Sequence, residues 1–75
     1  MKERITRIIS IVFEINENEI NENSSPENIE NWDSIGHLNL IVSLEDEFEI
    51  KFTDDEISEM LNFKLIEEIL IPKLK

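Results

Sequence analysis

Near the middle of the chain, Asp33-Ser34-Ile35-Gly36-His37 brings an acid, a hydroxyl and an imidazole within about one helical turn. These are the residue types of a hydrolase triad, in which His bonds Ser through one ring nitrogen and the acid through the other. Side chains crowded into the first turn of a single helix are poorly placed for that geometry. A chain of 75 residues also has little room to bury an orienting carboxylate beside a substrate cleft. Catalysis is therefore not expected, and His37 is read as a partly buried structural residue. Two readings remain for Ser34. Asp33 and Ser34 can be a simple capping pair, which is the better reading of the two residues in isolation. Alternatively, the Ser34 hydroxyl lies where free backbone N–H groups and the positive end of the helix dipole favour a bound or covalent phosphate.

Other chemistries are excluded by composition. There is no Cys, hence no disulfide, thiolate metal site or cysteine nucleophile. Asp54, Asp55 and Glu56 are adjacent rather than spaced as calcium ligands, so no metal site is expected. A single Gly excludes a glycine-rich phosphate loop.

The elements that position these residues emerge from hydrophobic spacing. Residues 2–15 read as an amphipathic helix, with Ile5, Ile8, Ile9, Val12 and Phe13 on one face. Residues 16–33, rich in Asn, Glu and Ser and containing Pro26, read as a long loop anchored by Ile20 and Ile29. Asp33 is an N-cap for a helix from Ser34 to about Phe48. Thr53 and Glu56 fit a capping box that opens a short helix through about Met60. Asn62 caps a last helix, from Phe63 to about Ile71, which Pro72 helps to end. No alternating run indicates a strand. The expected fold is all-α: a single domain over 1–75, a small four-helix bundle of three main helices and one short helix, with a long loop between the first two.

Charge separates along the chain. Lys and Arg total 7 and Asp and Glu total 18, for a net charge of -11. Residues 8–50 hold 11 acids and no base, and elsewhere acids and bases cancel, so the whole net charge lies in this stretch. Such a surface repels phosphate backbones, so nucleic-acid binding is not expected. The acidic stretch is either a solvated face or a docking face for basic partners. The apolar run after Arg7 is short, broken by Ser10 and not followed by a cleavage site, and no stretch is long and apolar enough to span a bilayer. The expected compartment is the cytoplasm, without membrane insertion.

The second helix carries two apolar stripes where a surface helix needs one. At roughly 100° per residue, Leu40, Ile41, Leu44 and Phe48 fall together and should face the core. Ile35, Leu38 and Val42 form a second stripe, interleaved with Glu45, Asp46 and Glu49. Either the second stripe packs on the long loop or it is an exposed docking patch rimmed by acids. Acids also crowd the C-terminal end of this helix, where the dipole favours cations, and the first helix has the same inversion, with Lys2, Arg4 and Arg7 early and Glu14 late.

Asp33-Ser34-Ile35 at a helix start, Leu38 to Phe48 with its Leu-Glu-Asp-Glu-Phe ending, and Phe52-Thr53-Asp54-Asp55-Glu56 together resemble an acyl carrier protein. The resemblance runs without gaps from Ser34 to Leu70. It implies a four-helix bundle carrying 4′-phosphopantetheine on Ser34, next to Asp33, installed from coenzyme A by a phosphopantetheinyl transferase that uses Mg²⁺. The arm would supply the thiol that the chain lacks and carry acyl groups as thioesters. Ile35, Leu38, Asn39, Val42, Glu45, Asp46 and Glu49 would meet loading and transfer enzymes bearing basic patches. Ile8, Ile9, Leu40, Leu44 and Phe48 would line a core able to admit an apolar chain. The protein itself would be a monomer and not an enzyme. Gly36 stands where the fatty-acid-synthesis type has an acid, and Asn39 where it has Glu. Trp32-Asp33-Ser34, followed by Gly36-His37-Leu38, looks like specialised bacterial carriers rather than the housekeeping type. A peptidyl or D-alanyl carrier, a housekeeping fatty acid carrier, and an acidic interaction module without a prosthetic group are the alternatives.

A net charge of -11 on so small a domain makes folding salt-dependent through self-repulsion. The melting temperature is expected to rise between low and moderate salt; a flat profile in a calorimetric titration would contradict this.

Overall fold

The computed structural model describes residues 1–74. Four α-helices succeed one another: α1 (Lys2–Phe13), α2 (Ser34–Phe48), α3 (Asp54–Glu59) and α4 (Phe63–Lys73). No strand occurs among the described residues. The long connection from α1 to α2 is not wholly irregular. It opens with one 3₁₀ turn, Glu17–Glu19, closed by a capping box between Asn16 and Glu19.

α1 buries Ile5, Ile8, Ile9 and Phe13 and stops at Phe13, two residues before the end expected from spacing. The stop is conformational. Glu14 takes a left-handed conformation (φ 56°), and its N–H and that of Ile15 both turn back to the Ser10 carbonyl. α2 ends the same way at Glu49 (φ 55°), with the Glu49 and Ile50 N–H groups on the Glu45 carbonyl. A left-handed residue other than Gly costs about 1–2 kcal/mol. Satisfying the last carbonyls offsets it, as does docking the next isoleucines, Ile15 and Ile50, against the core.

α3 is capped as its sequence predicts. Glu56 N–H donates to Thr53 Oγ1 (3.1 Å), and Thr53 N–H donates to Glu56 Oε1 (2.8 Å). Asn62 Oδ1 accepts from Leu65 N–H at 2.8 Å to open α4. Pro72 does not end this helix, which continues to Lys73. Pro72 is exposed in the last turn, where its missing N–H removes a single backbone bond, and Leu74 N–H closes the turn on the Ile71 carbonyl (3.0 Å).

The long loop is tied from both sides. Ile29 is buried and Ile20 half-buried against the core. Ser24 is buried; its Oγ accepts from Asn21 N–H (2.9 Å) and its carbonyl accepts from Phe63 N–H (2.9 Å), the first amide of α4. The early bases of α1 find one acid on α2 and one in the loop. Arg4 pairs with Glu47 at 2.8 Å and lies 4.4 Å from the centre of the Phe48 ring, while Lys2 pairs with Glu22 at 2.8 Å. Exposed pairs of this kind are screened by solvent and contribute little to stability.

The Thr53 backbone bond, followed by Lys73, holds the Glu56 carboxyl below its ordinary value of 4.5. A carboxylate depressed on folding stabilises above its unfolded value, and that stabilisation is lost as pH falls through the folded value. The gap in melting temperature between wild type and Glu56→Gln is therefore expected to be constant above the ordinary Glu range and to narrow below it. A gap that persists unchanged into strong acid would refute the assignment.

Candidate functional site

Asp33, in extended conformation, caps α2: its Oδ1 accepts from Gly36 N–H at 2.8 Å, and its carbonyl accepts from His37 N–H at 2.7 Å. Asp33 thus performs the capping alone. Ser34 is the first residue of the helix and is exposed, and its hydroxyl makes no hydrogen bond among the described residues. Among the described residues the Ser34 and Ile35 N–H groups, two of the donors left over at any helix start, have no partner either. A hydroxyl with no structural task thus sits at the positive end of a fifteen-residue helix.

His37 does not serve Ser34. Its Nδ1 accepts from Trp32 Nε1 at 3.0 Å, and its Nε2 lies 2.9 Å from the Ile57 carbonyl. The indole N–H can only donate, so Nδ1 is bare, and the ring is the neutral tautomer with its hydrogen on Nε2, donating to Ile57. Both ring nitrogens are committed and a triad is excluded by geometry. Trp32 is 2% exposed, stacked on Phe13 (5.4 Å between ring centres) and on His37 (6.3 Å). Three side chains and one carbonyl therefore join α1, the loop, α2 and α3 at this point.

Gly36 is needed for close approach. A Cβ there would collide with the Asn31 carbonyl oxygen and press to 2.9 Å on the Phe13 ring. Asn31 is itself held by donating from Nδ2 to the Phe13 carbonyl at 3.1 Å. By sequence, Gly36 reads only as a missing acid; its being the sole Gly of the chain is the signal that could have marked the contact.

In front of this junction lies an open cleft of about 430 Å³, lined by Pro26, Trp32, Ser34, His37, Met60 and Leu61 among others. None of Ile8, Ile9, Leu40, Leu44 and Phe48 lines it. The first four of these are buried in the core and Phe48 is half-buried against it. Pro26, Met60 and Leu61 are not expected from the sequence, since they come from a loop and a helix end where no periodicity marks a face.

The second stripe of α2 does not pack on the long loop. Ile35 is 72% exposed, and Leu38 and Val42 are each 56% exposed. Asn39, Asp46 and Glu49 are exposed around them. Glu45 differs: it is half-buried, and its Oε2 accepts from Phe52 N–H at 2.9 Å, tying α2 to the segment before α3. Among the described residues no helix is long and apolar enough to cross a membrane, and no cluster of His, Asp and Glu is placed to hold a metal ion.

No family model and no curated protein matches the chain. A solved structure does. The solution NMR structure of a holo acyl carrier protein from Geobacter metallireducens superposes with a TM-score of 0.87 at 33% sequence identity, over 97% of this chain and 84% of that one. The chain belongs to the acyl carrier protein family. Its helices are those of a carrier that works with partner enzymes. In this acyl carrier protein the start of α2 rests on Gly36, Asn31 and Phe13, beneath the exposed Ser34.

Gly36→Ala is accordingly expected to destabilise the fold by about 1–3 kcal/mol, the range for overpacking a filled site. Urea denaturation checks it, and a variant within about 0.5 kcal/mol of wild type, the scatter of neutral surface changes, would contradict the close approach.

Proposed function

We propose that the chain, acting over 1–75 as one carrier domain, bears 4′-phosphopantetheine on the Ser34 hydroxyl and presents acyl groups to partner enzymes as thioesters. The observation that carries this reading is the division of labour at the start of α2. Asp33 caps the helix, and the exposed Ser34 hydroxyl is left unused beside free N–H groups and an open cleft. Those donors and the dipole favour the phosphodiester. When bound, the arm supplies a thiol to a chain that has no Cys.

Coenzyme A is the donor of the arm and a phosphopantetheinyl transferase the installing partner. Asp33 keeps the helix start, and with it the hydroxyl, in place. Ile35, Leu38, Asn39 and Val42, with Asp46, Glu49 and the partly engaged Glu45, form the face that meets this and later partners. The exposed apolar stripe supplies burial, and the acids steer toward basic patches. Asn39 leaves a position of this face uncharged, and Gly36, turned inward, has no room for an acid, which supports service in a specialised biosynthetic pathway over housekeeping fatty acid synthesis. The working state is a cytoplasmic monomer.

Co-expression with a broad-specificity phosphopantetheinyl transferase is expected to raise the intact mass by one phosphopantetheine, and Ser34→Ala is expected to abolish the rise. A wild-type protein that stays unmodified under these conditions, or a Ser34→Ala protein that is still modified, would overturn the proposal.

A further inference from the structure

We infer that His37 is a latch that keeps the carried group out of the helical core and in the outer cleft beside Ser34, which suits this carrier to short acyl groups. The latch presupposes attachment at Ser34, as proposed, and governs where the cargo then lies.

His37 stands one turn after Ser34, on the side of α2 that turns toward α3. Its ring bridges two separate elements. Nδ1 is held by the indole N–H of Trp32 from the loop, and Nε2–H is held by the Ile57 carbonyl of α3. A chain attached at Ser34 that entered the core between α2 and α3 at this level would have to displace the ring. Displacement strands the buried indole N–H and takes the imidazole from both of its partners, while the Ile57 carbonyl keeps the Met60 N–H. Partly buried groups of this kind are costly to leave unpaired. It also unstacks His37 from Trp32, which is itself packed on Phe13. In the core, Leu40, Leu44, Met60 and Ile66 are each at 0% exposure.

The cleft in front asks for no such displacement. Ser34 is part of its wall, Leu61 and Pro26 give it exposed apolar surface, and the buried Trp32 and Met60 close it from behind. Its volume of about 430 Å³ falls at the low end of the range for small-molecule sites. The thiol end of a folded-back arm and a few carbons of cargo fit there. A long chain would leave most of its apolar surface in water.

The test loads wild-type protein from butyryl- and decanoyl-coenzyme A with the broad-specificity transferase, intact mass confirming each thioester. Protein that takes up neither group refutes the attachment at Ser34, a result distinct from any bearing on the latch. In loaded wild type, the butyryl group is expected to shift the emission of Trp32, the only Trp. The decanoyl group is expected to leave the methyl resonances of Leu40 and Leu44 and the melting temperature where they are in the holo form. In His37→Ala, the decanoyl form is expected to shift those resonances and to melt several degrees above its own holo form. His37→Gln, whose amide can both accept from Trp32 and donate to Ile57, is expected to behave as wild type. The nitrogen shifts of His37 should show hydrogen on Nε2 alone in every wild-type form. Decanoyl-dependent shifts at Leu40 and Leu44 in wild type would overturn the inference, and so would Trp32 emission indifferent to the butyryl group. Because both of these are read on wild type, a His37→Ala variant that does not fold leaves the test intact.

Discussion

The hydrogen bond from Trp32 to His37 organises this bundle. A buried indole must find an acceptor for its N–H. His37 offers one, but only in the tautomer whose other nitrogen must donate, and the Ile57 carbonyl takes that hydrogen. One polar requirement in the loop therefore fixes the rotation of α2, the protonation pattern of a ring and the position of α3. Phe13 brings α1 into the set by stacking on the indole. Hydrophobic contacts alone would hold these elements together with less positional definition, because burial has no direction.

The exposed Ser34 depends on the same junction. A helix start is exposed and frays readily unless something beneath it is rigid. Here Asp33 caps the first turn while Gly36 lets the helix settle against Asn31 and the Phe13 ring. This end of α2 is thus supported on its inner side by aromatic and backbone groups and left bare on its outer side. The acids that violate the dipole rule at the other end of α2 are used in different ways. Glu47 answers Arg4, Glu45 holds Phe52, and Glu49 turns the chain. Only Asp46 and the outward side of Glu49 are free to act at a distance.

Much of this is legible in the residues. The N-caps Asp33, Thr53 and Asn62 mark three helix starts through a local chemistry that tertiary packing does not override. The double stripe of α2 shows that one face is surplus to the core, and Ile35, Leu38 and Val42 are indeed outside. Helix ends are less legible. A left-handed Glu has no compositional mark, so spacing alone carries α1 past its stop at Glu14, and Pro72, a terminator by residue type, lies within the last turn itself. The role of Trp32 is not legible at all. Its junction takes in Phe13, His37 and Ile57, and no spacing rule joins a loop residue to three different helices. The cleft residues Pro26, Met60 and Leu61 escape for the same reason.

The bond between the Ser24 carbonyl and the first amide of α4 joins the early part of the chain to its last quarter. During synthesis a growing polypeptide leaves the ribosome N-terminus first. α1, the loop and α2 emerge well before Phe63 exists to occupy that carbonyl. The segment leading up to the Ser34 hydroxyl thus gains this anchor only after α2 and α3 have been made, so its shape reports on the arrival of α4.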